Sequence, residues 1–276
     1  MHKPAWNNQL PEILKAAVPG FLLPHGLGRS YGDSCLNADR DLIACRRLNR
    51  FLGFDESTGV LRCESGVSLS DILDVFLPKG WFLPAAPGTR FVTVGGAITN
   101  DVHGKNHHCA GTFGSHVRQI CLQRSNDGLI FCSSEENPDM LRATIGGLGL
   151  TGVIAWADIQ LKRVAGPWID GESIAFESLK TFLDLSRAAN DRFEYTVAWL
   201  DWFAGKNPRG IFFRGNHAAV HGKEFHPKAW PETALCSAGL DPQPLLCQSF
   251  QHRLLYVSRG QETRGRCGLR LVFLPA

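Results

Sequence analysis

The sequence predicts a fold that mixes strands with helices, and three observations carry the expectation. Residues 21–165 alternate short apolar strands with turns, two passages at 68–80 and 138–150 have helical spacing, and glycine-rich turns recur between them. Hydrophobic residues make up 44% and charged residues 20% of the 276 residues, the balance of an ordinary globular chain with room for one large or two modest domains.

The elements follow in order. Met1–Pro24 reads as a short helix and a turn rather than a signal peptide, because Pro19, Gly20 and Pro24 interrupt its apolar stretch. Phe21–Leu23 reads as a short strand. LIACRRL (42–48) and GVLRCESG (59–66) read as strands around a turn at Asp55–Gly59. In 68–80, Ser68 or Ser70 caps a helix, Leu69, Ile72, Leu73 and Phe76 share one face, and Gly80 stops it. Residues 117–133 form two apolar runs joined at Asn126-Asp127-Gly128, a hairpin signal. Residues 138–150 read as a helix ending in glycines. Val153, Ala155, Ala157, Ile159 and Leu161 then alternate along a long strand. From about 167 the pattern becomes strand, helix (Ile174–Ala189) and strand, the start of a second domain.

A net charge of +3 without a dense Lys/Arg stripe argues against a nucleic-acid partner. No apolar run reaches the ~20 residues of a membrane span. Nine Cys without a CxxC pair fit reduced thiols and a cytoplasmic setting.

Four segments carry chemistry. HGLGRSYGDSCLN (25–37) can turn backbone N–H groups inward as a nest for a diphosphate, with Arg29 and Ser30 as added donors; the alternative is a tight surface loop. It matches neither a Rossmann fingerprint nor a Walker loop. PGTRFVTVGGAITNDVHGKNHHCAGTFGSHV (87–117) places glycines among hydroxyl residues, and Gly95-Gly96 allows close approach to the backbone. GGLGLTGVI (146–154) repeats the pattern ahead of a strand. Three such turns suggest one extended ligand lying across several loops; three unrelated turns are the alternative. His103, His107, His108 and Cys109 invite a zinc reading, but the spacing suits no closed site. A His beside a redox cofactor or bonded to backbone fits better, and no metal is expected.

These segments resemble the FAD-binding domain of the PCMH-type, vanillyl-alcohol-oxidase-like flavoproteins. Within that family the likeness is nearest to the decaprenylphosphoryl-ribose 2-oxidase branch, and more distant to the sugar-lactone oxidases. It covers roughly 21–218, and HGKNHH is its most specific part. The resemblance implies an α+β fold: an FAD-binding domain of two α+β subdomains (1–165), then an incomplete substrate domain with an antiparallel sheet (166–221). It implies that Gly26, Leu27, Gly28, Arg29, Ser30, Tyr31, Gly32 and Asp33 hold the FAD diphosphate. Gly88, Thr89, Thr93, Val94, Gly95 and Gly96 line the same groove. Asn100, His103 and Gly104 sit near the flavin, and Val153 and Ile154 meet the adenine half. Tyr31, His103 and Lys105 are the candidate catalytic residues. Covalently flavinylated relatives often carry a His in the first loop; Tyr31 stands there instead, which implies non-covalent FAD.

The implied chemistry is oxidation of a sugar CH–OH, on a free or lipid-linked sugar, with lactone oxidation as the alternative. A separate reductase subunit is a candidate partner, and peripheral membrane association would suit a lipid-linked substrate. Two further alternatives are a non-catalytic flavin-binding remnant and a metal-binding interaction module.

The likeness fades after RGNHA (214–218). The family's last segment, which returns to the FAD domain with a Tyr and a Lys near the flavin, is not evident. Permitted codons for Leu240–Val257 read one base later give LTLNPYSVKAFNTAYYM, of which NPYSVKAFN is family-like. The expectation is a frameshift between 218 and 239, an aberrant, poorly ordered tail over 222–276, and weak FAD binding.

Overall fold

A computed structural model describes residues 1–16, 22–126, 128–203 and 208–218, and the backbone of 257–259 and 267–272. In chain order the elements are α1 (Leu10–Ala16), β1 (Leu22–His25), β2 (Asp41–Ala44), β3 (Phe51–Asp55), β4 (Val60–Glu64), α2 (Leu69–Phe76), β5 (Trp81–Phe82), α3 (Val94–Thr99), α4 (His107–Ala110), β6 (Val117–Arg124), β7 (Gly128–Ser133), α5 (Pro138–Thr144), β8 (Val153–Gln160), β9 (Lys162–Arg163), β10 (Trp168–Phe176), α6 (Leu179–Ala189), β11 (Tyr195–Asp201), β12 (Arg209–His217), β13 (Val257–Arg259) and β14 (Cys267–Val272). The chain divides into two compact units: Met1–Gly104 with Gly111–Arg163, and Lys105–Ala110 with Val164–Ala276. Both mix helices with largely antiparallel sheets, an α+β organisation.

The first unit is built on a five-stranded sheet in the order β3-β4-β8-β6-β7, antiparallel throughout. β8 sits at its centre, and Val153, Ala155, Ala157, Ile159 and Leu161 are all buried, as their alternation predicts. A smaller parallel pair, β1-β2, packs with α1 against one face; Leu10, Ile43, Cys45, Leu48 and Cys121 are buried there. α2 starts where expected. Ser68 Oγ accepts from Asp71 N–H, and the Asp71 carboxylate accepts from Ser68 N–H at 3.0 Å, a reciprocal cap. Leu69, Ile72, Leu73 and Phe76 are buried, each contributing on the order of 2 kcal/mol. Gly80, at φ 78°, ends the following 3₁₀ turn.

Three expectations change. The strand partner of 59–66 is not 42–48: β4 pairs with β3, while 42–44 lies in β2, parallel to β1. The turn itself is where expected, with Gly59 N–H donating to Asp55 O. Glycine-rich 87–117 contains a helix, α3, that its composition disfavours. Ile174–Phe176 are strand, because Ser178 caps α6 by accepting from Thr181 N–H. Phe21 and Asp127 of the expected first strand and hairpin turn lie outside the described residues.

The second unit carries an antiparallel sheet in the order β11-β12-β10-β14-β13. Phe182 and Leu185 of α6 pack on Phe176 and Phe212. Most of 222–276 lies outside the described residues; within it, the backbone of β14 pairs with β10 and that of β13 with β14.

Candidate functional site

α3 is the centre of the candidate site. Its first turn is satisfied from within: Val94 N–H donates to Val67 O and Gly95 N–H to Ser65 O, both at 2.8 Å, and Gly96 N–H to Thr93 Oγ1 at 3.1 Å. Two glycines in a short helix cost about 1 kcal/mol each relative to alanine. The packing explains Gly95, since a Cβ there would stand 3.0 Å from the Ser65 Cβ. The start of α3 therefore offers no spare donors to an anion at these positions.

The first glycine loop leaves β1 against this helix. A Cβ on Gly26 would lie 2.4 Å from Thr93 Oγ1. Gly28 (φ 63°) and Gly32 (φ 61°) take the left-handed conformation. Ser30 Oγ donates to Asn100 Oδ1 at 3.2 Å, and Asn100 Nδ2 donates to Gly96 O at 2.9 Å. Among the described residues, no N–H from Leu27 to Asp33 has an intramolecular acceptor. Gly28, Arg29, Tyr31, Gly32 and Asp33 are exposed, Tyr31 by 99%.

The third turn closes on the same helix. Gly146 N–H donates to Ile98 O at 3.0 Å and Leu148 N–H to Thr99 O at 2.8 Å. A Cβ on Gly149 would be 3.4 Å from Pro24, at the base of the first loop. Val153 and Ile154 begin β8 opposite Gln123 and Leu122, and both are buried. Residues 26–33, 93–96 and 146–154 thus meet around α3.

The other predicted residues are placed less tightly. Gly88 is exposed with nothing within 4 Å of a Cβ there, and Thr89 Oγ1 accepts from Phe91 N–H. His103 is exposed and forms a bridge with Thr112; Gly104 follows it. Lys105 belongs to the second unit, where its carbonyl accepts from Thr196 N–H at 2.9 Å. His108 Nε2 bonds Phe193 O at 2.9 Å, and Cys109 Sγ donates to Asn106 O. Among the described residues no group of three or more His, Cys, Asp or Glu is arranged around a metal ion.

The second unit also pairs Tyr195 OH with His217 Nε2 at 3.0 Å, and burial followed by the nearby Glu194 carboxylate pushes the phenol up. Sequence reasoning missed two residues of the first unit. Ser65 is 3% exposed, its carbonyl caps Gly95, and its Oγ has no partner among the described residues. Asp101 has φ 42°, a conformation Asp and Asn tolerate better than most L residues. The only available signal was an Asp after a helical Asn.

The set fits a dinucleotide diphosphate. It supplies N–H groups in a glycine nest, a guanidinium at Arg29 and a buried hydroxyl at Ser65 beneath the junction. The geometry gives a candidate site for a nucleotide cofactor, and comparison with known proteins supports FAD as that cofactor. Residues 3–132 match the FAD binding domain family. The match makes this part of the chain similar to an FAD-binding domain. It is 38% identical to the decaprenylphosphoryl-beta-D-ribose oxidase of Mycolicibacterium smegmatis over 68% of this chain and 42% of the relative. An uncharacterised Streptomyces coelicolor protein is 36% identical over 55% of the chain and 41% of its own length. The D-arabinono-1,4-lactone oxidase of Kluyveromyces lactis is 25% identical over 62% and 34%. The chain spans about two fifths of the first two relatives and a third of the last.

Proposed function

We propose that the chain is the flavin-holding part of an oxidoreductase that oxidises a CH–OH carbon of a lipid-phosphate-linked sugar. The convergence of three glycine turns on α3 carries the reading, and the 38% identity to a decaprenylphosphoryl-ribose oxidase supports the substrate class. FAD, when bound, supplies a two-electron acceptor for the hydride of that carbon.

The chain's own residues bind and orient. N–H groups of Leu27–Asp33 and the Arg29 guanidinium hold the diphosphate. Gly26, Gly95 and Gly96 keep side chains out of the junction, and Val153 and Ile154 meet the adenine half by backbone. Tyr31 and His103 face the sugar, one of them accepting the hydroxyl proton. FAD is held without a covalent bond, Tyr31 standing where a linking His would be. Gly88 and Thr89 complete the groove once it is filled.

Lactone oxidation is the second reading, favoured by the likeness to the arabinono-lactone oxidase. No helix among the described residues is long and apolar enough to cross a membrane. The proposed setting is the cytoplasm, peripheral to a membrane, with a separate reductase subunit as partner; fractionation and pull-down of the tagged chain test these points.

The decisive experiment incubates the full chain with FAD, removes excess, and records the visible spectrum anaerobically. Retained flavin bands bleached by a polyprenylphosphoryl sugar support the reading, and bleaching by an aldonolactone favours the second. Bands that neither bleaches mark a non-catalytic flavin binder. A colourless protein ends the flavin assignment. Acid precipitation that leaves flavin on the protein overturns non-covalent binding.

A further inference from the structure

Asp101 lies in the second glycine-rich segment, between Asn100 and His103 and against Gly114 and Gly146, yet it is not among the expected flavin-site residues. Its backbone is left-handed at φ 42°, a conformation an L residue keeps only when its surroundings hold it there. Four bonds do so. Asp101 N–H donates to Ile98 O at 3.0 Å and Val102 N–H to Ala97 O at 3.1 Å, turning the chain off the end of α3. The Asp101 Oδ1 atom accepts from Gly114 N–H at 2.9 Å, and Val102 O accepts from Phe113 N–H at 2.8 Å. With the bridge between His103 and Thr112, these contacts form a neck in which Asp101, Val102 and His103 run against Thr112, Phe113 and Gly114.

The glycines around Asp101 fit it closely. A Cβ on Gly114 would stand 2.7 Å from Asp101 Oδ1, and one on Gly146 3.6 Å from the Asp101 Cβ. On its N-terminal side is Asn100, bonded to Ser30 of the first loop. Two residues on its C-terminal side is His103.

We infer that Asp101 is a positioning residue: its left-handed turn and its bond to Gly114 N–H lock the neck, and so fix where His103 stands relative to the flavin. This rests on the flavin reading above. A carboxylate oxygen and an amide oxygen serve this role equally, because both accept from Gly114 N–H and both residue types tolerate the left-handed region. Glycine keeps the backbone turn but loses the acceptor.

The test uses the full chain and three substitutions, with FAD affinity from flavin fluorescence, visible circular dichroism of the bound flavin, and far-UV melting read in parallel. Asp101→Gly is expected to fold, to weaken FAD by about tenfold as His103 shifts and loses one contact to the flavin, and to change the flavin dichroism. Asp101→Asn is expected to bind FAD within about twofold of the native chain. In a His103→Gln background, Asp101→Gly should weaken FAD by no more than about twofold further, since it acts through His103.

Native-like affinity and dichroism in Asp101→Gly overturn the inference, as does an undiminished tenfold loss in the His103→Gln background. If Asp101→Gly does not fold, Asp101→Asn decides: native-like flavin binding supports the acceptor role, and a tenfold loss overturns it. Failure of the native chain to bind FAD is a different result and counts against the function itself.

Discussion

Gly26 lies so close to Thr93 that a Cβ on it would stand 2.4 Å from the Thr93 Oγ1 atom, the same oxygen that caps Gly96 N–H. One contact thus joins the first glycine loop to the helix that organises the site. Gly26→Ala must push Thr93 off its cap or lift the loop. We expect a loss of about 1–3 kcal/mol in stability, read by denaturant unfolding, and weaker FAD binding. A variant as stable as the native chain would show that the loop can retreat freely.

The cap of α2 is separable from the site. Ser68→Ala removes the acceptor for Asp71 N–H and should cost about 1 kcal/mol in thermal unfolding. FAD affinity should stay within about threefold, because α2 contributes no proposed donor to the flavin. A large loss of affinity would place α2 in the binding machinery.

Thiol chemistry should sort by burial. Cys109 is exposed and Cys35 half-buried, while Cys45, Cys63, Cys121 and Cys132 are buried. Desolvation pushes Cys45 and Cys121 up from 9.0 to about 11. Among the six cysteines of the described residues, mass mapping after brief iodoacetamide treatment at pH 8 should find Cys109 labelled first and the buried four last. The same shift sets a pH dependence. The folded state holds these protons more tightly than the unfolded chain, so their contribution is intact below about pH 9 and is lost as pH rises towards 11. Stability that rises over that interval would contradict the burial of these thiols.

At the acid end, Asp55 is lowered from 3.8 to about 2 by hydrogen bonds from Ser57 and Thr58 at the β3–β4 turn. Its contribution is present above pH 3.8 and lost as pH falls towards 2. Carboxyl NMR titration should find Asp55 well below 3.8 and return it upward in Ser57→Ala. An unmoved titration would mean the hydroxyl is not the cause.

The alternative frame over Leu240–Val257 makes a prediction at the level of the gene. Resequencing should reveal a one-base change between the codons of residues 218 and 239 that restores a longer family-like frame. A clean sequence with no such frame would remove the proposed frameshift.

Much of this was legible in the residues themselves. Ser68, the apolar face of α2, Gly80 and the alternation of β8 act within a few positions of where they are read. The glycine loops were legible as three segments, but the contacts by which they meet α3 were not. Other features were hidden. β3 rather than 42–48 pairs with β4, and α3 forms despite two glycines because Ser65, Val67 and Thr93 satisfy its first turn. Asp101 gave only the weak signal of an Asp following Asn100, because its role depends on Gly114, thirteen residues away.

By itself the sequence determined the caps, the turns, the buried faces and the three glycine segments, since each is a local preference of the chain. Only the tertiary structure decided which strands pair, that the three segments share one helix, and that Asp101 is held left-handed between Gly114 and Gly146. Those outcomes depend on hydrogen bonds and close contacts between residues far apart in the chain, and such partners exist only once the chain has folded.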